Sequence, residues 1–112
     1  MAAQDQLKVD VRHEADRAVL CLQGELDLAS APLLEKQIDS IQLGTTPTVV
    51  LDLQKLQFID STGLRAILSA QARLRERGGE LAVTPGSSQV QRLLAITRAD
   101  EHLRIVDRKS VV

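Results

Sequence analysis

The sequence predicts an α/β domain built on a mixed β-sheet, with an antiparallel first strand pair, mainly parallel remaining strands, and helices packed against the sheet. Three observations predict it. Two short apolar runs open the chain with only a few residues between them, as in a hairpin. A continuous run, "TVVLDL" at 48–53, reads as a central strand buried on both faces. Beyond it, helical and strand-like spacings alternate, which is the order of parallel strands joined by right-handed crossovers. At 112 residues and 44% hydrophobic content, residues 1–112 are expected to form one domain around one core.

The elements follow in order. "LKVDV" at 7–11 alternates apolar and polar residues, a strand with one face buried, and "HEAD" breaks it. "AVLCL" after Arg17 is the second strand, and Gly24 is expected to close it. A helix follows with Ser30 as its expected N-cap, Pro32 in the first turn, and Leu34, Ile38 and Ile41 facing inward. Gly44 and Pro47 punctuate the chain before the central strand, and "QKLQFI" reads as a short link. Leu64, Ile67, Leu68, Gln71 and Leu74 then recur at helical steps until Gly78 and Gly79 allow a left-handed cap. "ELAVT" is the next strand. Ser87 or Ser88 can cap a third helix carrying Val90, Leu93 and Leu94 inward, and "LRIV" at 103–106 is a last short strand.

Composition removes several functional classes. Fourteen Lys and Arg against fifteen Asp and Glu give a net charge of −1, so no global field points to nucleic acid or an acidic membrane. Arg73, Arg75 and Arg77 spread around a helix and read as a solvated face. With Phe58 the single aromatic residue, no stacking platform for bases or sugars can be built. Cys21 is the only cysteine, which forbids an intrachain disulfide, and its apolar setting reads as a buried strand position. The N-terminus "MAAQDQLK" lacks the pattern of a signal peptide, and no 18 apolar residues run together. A reducing cytoplasm is the expected compartment.

The informative stretch is "LQFIDSTGLRAI", Leu56 to Ile67, where Asp60, Ser61 and Thr62 stand between a buried segment and a helix. Either Asp60 or Ser61 can satisfy an unpaired amide of the first turn. One polar residue suffices for that, and Gly63 inside the first turn costs up to about 1 kcal/mol in helix propensity, so a close approach is expected there. Nucleophilic catalysis is not supported. "IDSTG" lacks the first glycine of a hydrolase elbow, and neither His13 nor His102 is placed beside Ser61. Phosphate-cradling glycine spacings are also missing. The chain is expected to have no turnover of its own and to bind no cofactor or metal.

"VVLDLQKLQFIDSTGLRAIL" at 49–68 resembles the signature of the STAS domain, specifically the bacterial anti-sigma factor antagonists, and "LQGELDLASAP" at 22–32 resembles that family's second conserved region. The resemblance covers essentially the whole chain. It implies that Ser61 is phosphorylated, with Thr62 as an alternative acceptor, by an anti-sigma factor that is itself a serine kinase. It further implies that the unphosphorylated form binds this kinase and frees the sigma factor, and that a metal-dependent serine phosphatase restores the serine. Asp27, Asp60, Thr62, Gly63 and Leu64 are the partner-binding residues it implies. Gly63 would allow close backbone approach, while Leu64 would either join a partner-facing ridge or point into the core. Neither direct nucleic-acid binding nor membrane insertion is implied, and the oligomeric state is left open.

Two other readings belong beside it. Within the same family, a standalone domain can serve a lipid-transport ABC complex or a stress-signalling scaffold. From another chemical class, an aspartate-phosphoacceptor receiver-like domain would use Asp52 after the central strand, with Thr84 and Lys109 after later ones. That chemistry needs an acidic cluster for magnesium at the end of the first strand, and "DVRHEAD" does not supply it.

Overall fold

A computed structural model describes residues 7–14, 16–41, 43 and 47–107. The chain runs through β1 (Lys8–Glu14), β2 (Arg17–Leu26), α1 (Ala31–Ser40), β3 (Thr48–Ile59), α2 (Ser61–Glu76), β4 (Glu80–Val83), α3 (Ser88–Ile96), a 3-10 turn (Ala99–Glu101) and β5 (Arg104–Ile105). The five strands form one sheet in the order β1-β2-β3-β4-β5. β1 pairs with β2 antiparallel and every other pairing is parallel, so the expected mixed sheet is the one observed.

Four strands differ in their bounds from the sequence reading. β1 continues through His13 and Glu14, so "HE" belongs to the strand and the reversal comes after it. β2 does not stop at Gly24 but runs on to Leu26, and β3 does not stop at Leu53 but continues through "QKLQFI". The physical reason is a pair of bulges. Cys21 and Gln23 face Asp52 and Lys55, and Gly24 and Glu25 face Leu56 and Phe58, so each step carries one extra residue on β3. An extra residue breaks the two-residue alternation that identifies a strand. Gly24, on β2 opposite the second bulge, sits at φ 103°, a backbone that favours glycine. The expected last strand at 103–106 shortens to Arg104–Ile105, with Leu103 buried before it. Gly44 and Lys109 lie outside the described residues, as does the start of "MAAQDQLK".

The helices bury the sides their periodicity marks. Ala31, Leu34 and Ile38 of α1, Leu64, Ile67, Ala70 and Leu74 of α2, and Val90 and Leu94 of α3 join Leu20, Leu22, Leu51, Leu53 and Leu81 in the main core. On the opposite face of the sheet, Val19, Val50 and Ala82 form a smaller apolar cluster with Cys21 and Val106 against it. Cys21 is half-buried, not buried as expected. α2 ends as its glycines dictate: Gly79 donates its N–H to the Leu74 carbonyl (2.8 Å) and Gly78 sits at φ 85°. The arginines beyond do more than solvate a face. Arg73 pairs with Asp39, and Arg77 donates to the carbonyls of Ile38 (3.1 Å) and Ile41, holding a cation at the C-terminus of α1.

Candidate functional site

The C-terminal ends of β2 and β3 lie side by side, and each leads into a helix through a polar turn. Leu26 pairs with Ile59, and the Asp60 N–H donates to the Leu26 carbonyl at 3.3 Å. This contact ties the Asp27 turn to the Asp60 turn, so tertiary structure brings together two sequence segments more than thirty positions apart.

In the second turn the cap is Asp60. Its Oδ1 accepts the N–H of Gly63 at 2.8 Å, and its backbone carbonyl accepts the N–H of Leu64 at 2.9 Å. Asp60 has extended backbone angles, as an N-cap should, and Ser61 is the first helical residue. Of the two capping candidates, the carboxylate takes the role. Ser61 is therefore exposed, and its hydroxyl makes no hydrogen bond among the described residues. Thr62 is half-buried.

Gly63 and Leu64 do not form an outward ridge. Both are buried, and Leu64 belongs to the core at 5% exposure. The close approach expected at Gly63 is real but internal: a Cβ there would meet the Leu26 carbonyl oxygen at 2.2 Å. Glycine is required because the end of β2 lies against the first turn of α2.

The first turn is organised by Asp27. Its Oδ1 accepts the N–H groups of Ala29 and Ser30, both at 3.1 Å, and its carbonyl accepts the N–H of Ala31 at 2.8 Å. Ser30, the expected N-cap, makes no side-chain capping bond. Its buried hydroxyl instead donates to the Glu25 carbonyl (2.8 Å) and accepts the Asp27 N–H (2.9 Å), stitching the end of β2 to the helix entry. Asp27 thus caps the turn into α1 as Asp60 caps α2, which puts a half-buried carboxylate in each turn.

Two residues that sequence reasoning passed over complete the surface. Leu28 is 74% exposed immediately after Asp27, and Phe58 is 38% exposed two residues before Asp60. The bulge between Leu56 and Phe58 explains the second, because it takes Phe58 out of the buried alternation. The available signal for Leu28 was its place in the turn "LDLAS", outside any periodic apolar pattern.

Asp52 and Thr84, the receiver-like candidates, do meet, but as a structural clasp. Thr84 is fully buried; its hydroxyl donates to Asp52 Oδ1 (3.2 Å) and accepts the Leu53 N–H (2.8 Å), while Asp52 Oδ1 also accepts the Gln54 N–H (3.0 Å). Cys21 Sγ lies 3.7 Å from Asp52 Oδ2, and burial first, then the Asp52 charge, push its thiol above its ordinary pKa. Among the described residues no three His, Cys, Asp or Glu side chains are grouped to hold a metal ion, and no helix is long and apolar enough to cross a membrane.

Comparisons with known proteins give the family and the fold. The model of the STAS domain matches residues 7–110. An anti-sigma F factor antagonist from Paenibacillus polymyxa is 33% identical over 104 residues, covering 92% of this chain and 89% of its own. A crystal structure of an anti-sigma factor antagonist from Mycobacterium paratuberculosis superimposes with a TM-score of 0.79 at 24% identity, covering 94% of this chain and 89% of that one. The phosphorylated form of the Bacillus cell fate determinant SpoIIAA has the same fold, with a TM-score of 0.68 at 18% identity over 93% and 96% of the two chains. The chain belongs to the STAS domain family, among the anti-sigma factor antagonists.

Proposed function

We propose that the chain is a phosphorylation-controlled binding module whose unphosphorylated form docks on an anti-sigma factor that is also a serine kinase, and whose Ser61 accepts the phosphoryl group that ends the contact. One observation carries the reading. Asp60, not Ser61, caps α2, so the Ser61 hydroxyl stands exposed with no structural duty to lose. That a protein of the same fold is known in a phosphorylated form supports it.

The surroundings suit a switch that leaves the fold intact. A phosphoryl group adds about −1.5 to −2 charges at neutral pH. The N-terminus of α2 tolerates an anion, because its first amides and dipole face that way. At a docked interface the same charge must be desolvated near the carboxylates of Asp27 and Asp60, where like charges brought together are unfavourable by several kcal/mol. Exposed Leu28, next to Asp27, and exposed Phe58, two residues before Asp60, would supply apolar contact to the partner, and Thr62 follows the serine. The kinase supplies nucleotide and magnesium, and a metal-dependent serine phosphatase restores the free hydroxyl.

The test compares Ser61→Ala and Ser61→Asp with the cognate kinase and labelled ATP. Alanine should bind, take up no label and keep its stability within about 0.5 kcal/mol. Aspartate should fold normally and bind about tenfold or more weakly. Label on Thr62 alone, or binding retained by aspartate and lost by alanine, overturns the assignment. Capture of a transporter ATPase with no affinity for any serine kinase would replace the partner class.

A further inference from the structure

We propose that the chain associates with a second copy of itself through β1, in a two-fold antiparallel pairing centred on Val11 that joins the two sheets into one. β1 is the edge of the sheet, and among the described residues nothing pairs with it on its outer side. An unpaired edge presents a row of backbone donors and acceptors that templates another strand. What this edge adds is a charge pattern complementary to itself.

Along β1, the residues facing away from the helices are Lys8, Asp10, Arg12 and Glu14, with alternating sign. Val9, Val11 and His13 point the other way, opposite Leu22, Leu20 and Ala18 of β2. A two-fold axis normal to the sheet keeps each residue on its own face, so only registers that pair like faces are open to it. Centred on Val11, such a pairing uses all seven residues. It sets Lys8 against Glu14 of the second copy and Asp10 against its Arg12, and repeats both pairs across the axis, giving four pairings of opposite charge. The pattern decides the register. A slip that centres on Asp10 opposes Lys8 to Arg12 and Asp10 to itself, and one that centres on Arg12 opposes Asp10 to Glu14 and Arg12 to itself. Slips centred on Val9 or His13 match charge but pair only three residues.

Pairs already present within the chain are compatible with this. Glu14 bonds Arg17 at 2.8 Å and lies 3.7 Å from Arg12, so the second copy extends an existing network. On the helix side, Val11 would meet Val11 beside the groove between β1 and α1 that Gln37, Ser40 and Ile41 line. These valines are half-buried in the single chain and would lose their remaining exposure. β2 separates β1 from the strand that leads to Ser61, so this inference stands independently of the phosphorylation reading.

Sedimentation of the full chain at low salt, up to about 1 mM, should show a monomer–dimer equilibrium that weakens as salt is raised. Asp10→Arg and Arg12→Asp should each weaken it about tenfold or more, because each opposes two like charges on both sides of the axis. An equimolar mixture of the two variants should associate, since the strands are then complementary to each other. A carbodiimide cross-link between Lys8 and Glu14 provides a second readout, at residues that neither variant changes. The two residues stand at opposite ends of a strand about 20 Å long, so a zero-length link between them must join two copies. A wild-type chain that stays monomeric throughout, a dimer lacking that cross-link, or variants that dimerise as tightly as wild type would each overturn the proposal, as would a mixture that fails to associate.

Discussion

A Cβ on Gly63 would lie 2.2 Å from the carbonyl oxygen of Leu26 and 2.8 Å from its carbonyl carbon. Neither atom can yield without moving the end of β2, whose carbonyl also receives the Asp60 N–H. The contact is the hinge pin between the Asp27 and Asp60 turns, and it makes Gly63 a fold-determining residue.

Gly63→Ala should therefore lower stability by about 1–3 kcal/mol, and Gly63→Val by more, since overpacking against backbone has no rotamer escape. Gly78→Ala is the control. Unlike Gly63, Gly78 sits at a positive φ, and a Cβ there meets nothing within 4 Å, so its cost should stay near 1 kcal/mol, that of the backbone angle alone. Urea denaturation of the three variants gives the ranking. A loss at Gly63 no larger than that at Gly78 would mean that the Leu26 backbone yields to a side chain at little cost.

The capping assignment gives a second ranking. Asp60→Ala removes the acceptor for the Gly63 N–H and should cost about 0.5–2 kcal/mol, whereas Asp60→Ser, which keeps a capping oxygen, should lose only part of that. Because Ser61 makes no such bond, Ser61→Ala should leave the thermal midpoint almost unchanged. A larger loss at Ser61 than at Asp60 would transfer the cap to the serine.

Cys21 predicts a pH dependence. Burial and the neighbouring Asp52 carboxylate raise its thiol pKa in the folded chain, so folding favours the neutral thiol. Its contribution is complete below the ordinary thiol value of about 8.5 and declines as pH rises through the raised folded value. The stability difference between wild type and Cys21→Ala should be constant from pH 6 to about 8 and shift against wild type above that. A difference that stays flat into the alkaline range would mean that the thiol titrates alike in the folded and unfolded chain.

The sequence by itself determined the order of elements, the inward faces of the helices and the turn that matters. Leu64, Ile67 and Leu74 declare α2 because burying one side of a helix imposes a spacing visible in one dimension. The polar turns at Asp60, in "IDSTG", and at Asp27 were legible for the same local reason, since caps and turns need particular side chains close in sequence. Tertiary structure decided what those turns do together. β3 bulges twice against β2, and no local pattern announces a strand whose alternation is broken by its neighbour's register. Pairing of Leu26 with Ile59 brings Asp27 beside Asp60, gives Gly63 its reason and turns Leu64 inward. The choice of Asp60 over Ser61 as cap also rests on three-dimensional geometry, because two adjacent oxygens compete for one amide and backbone angles fix which reaches it. Periodicity reports what each segment buries; only the packed chain fixes which segments meet, and the exposed hydroxyl of Ser61 is a product of that meeting.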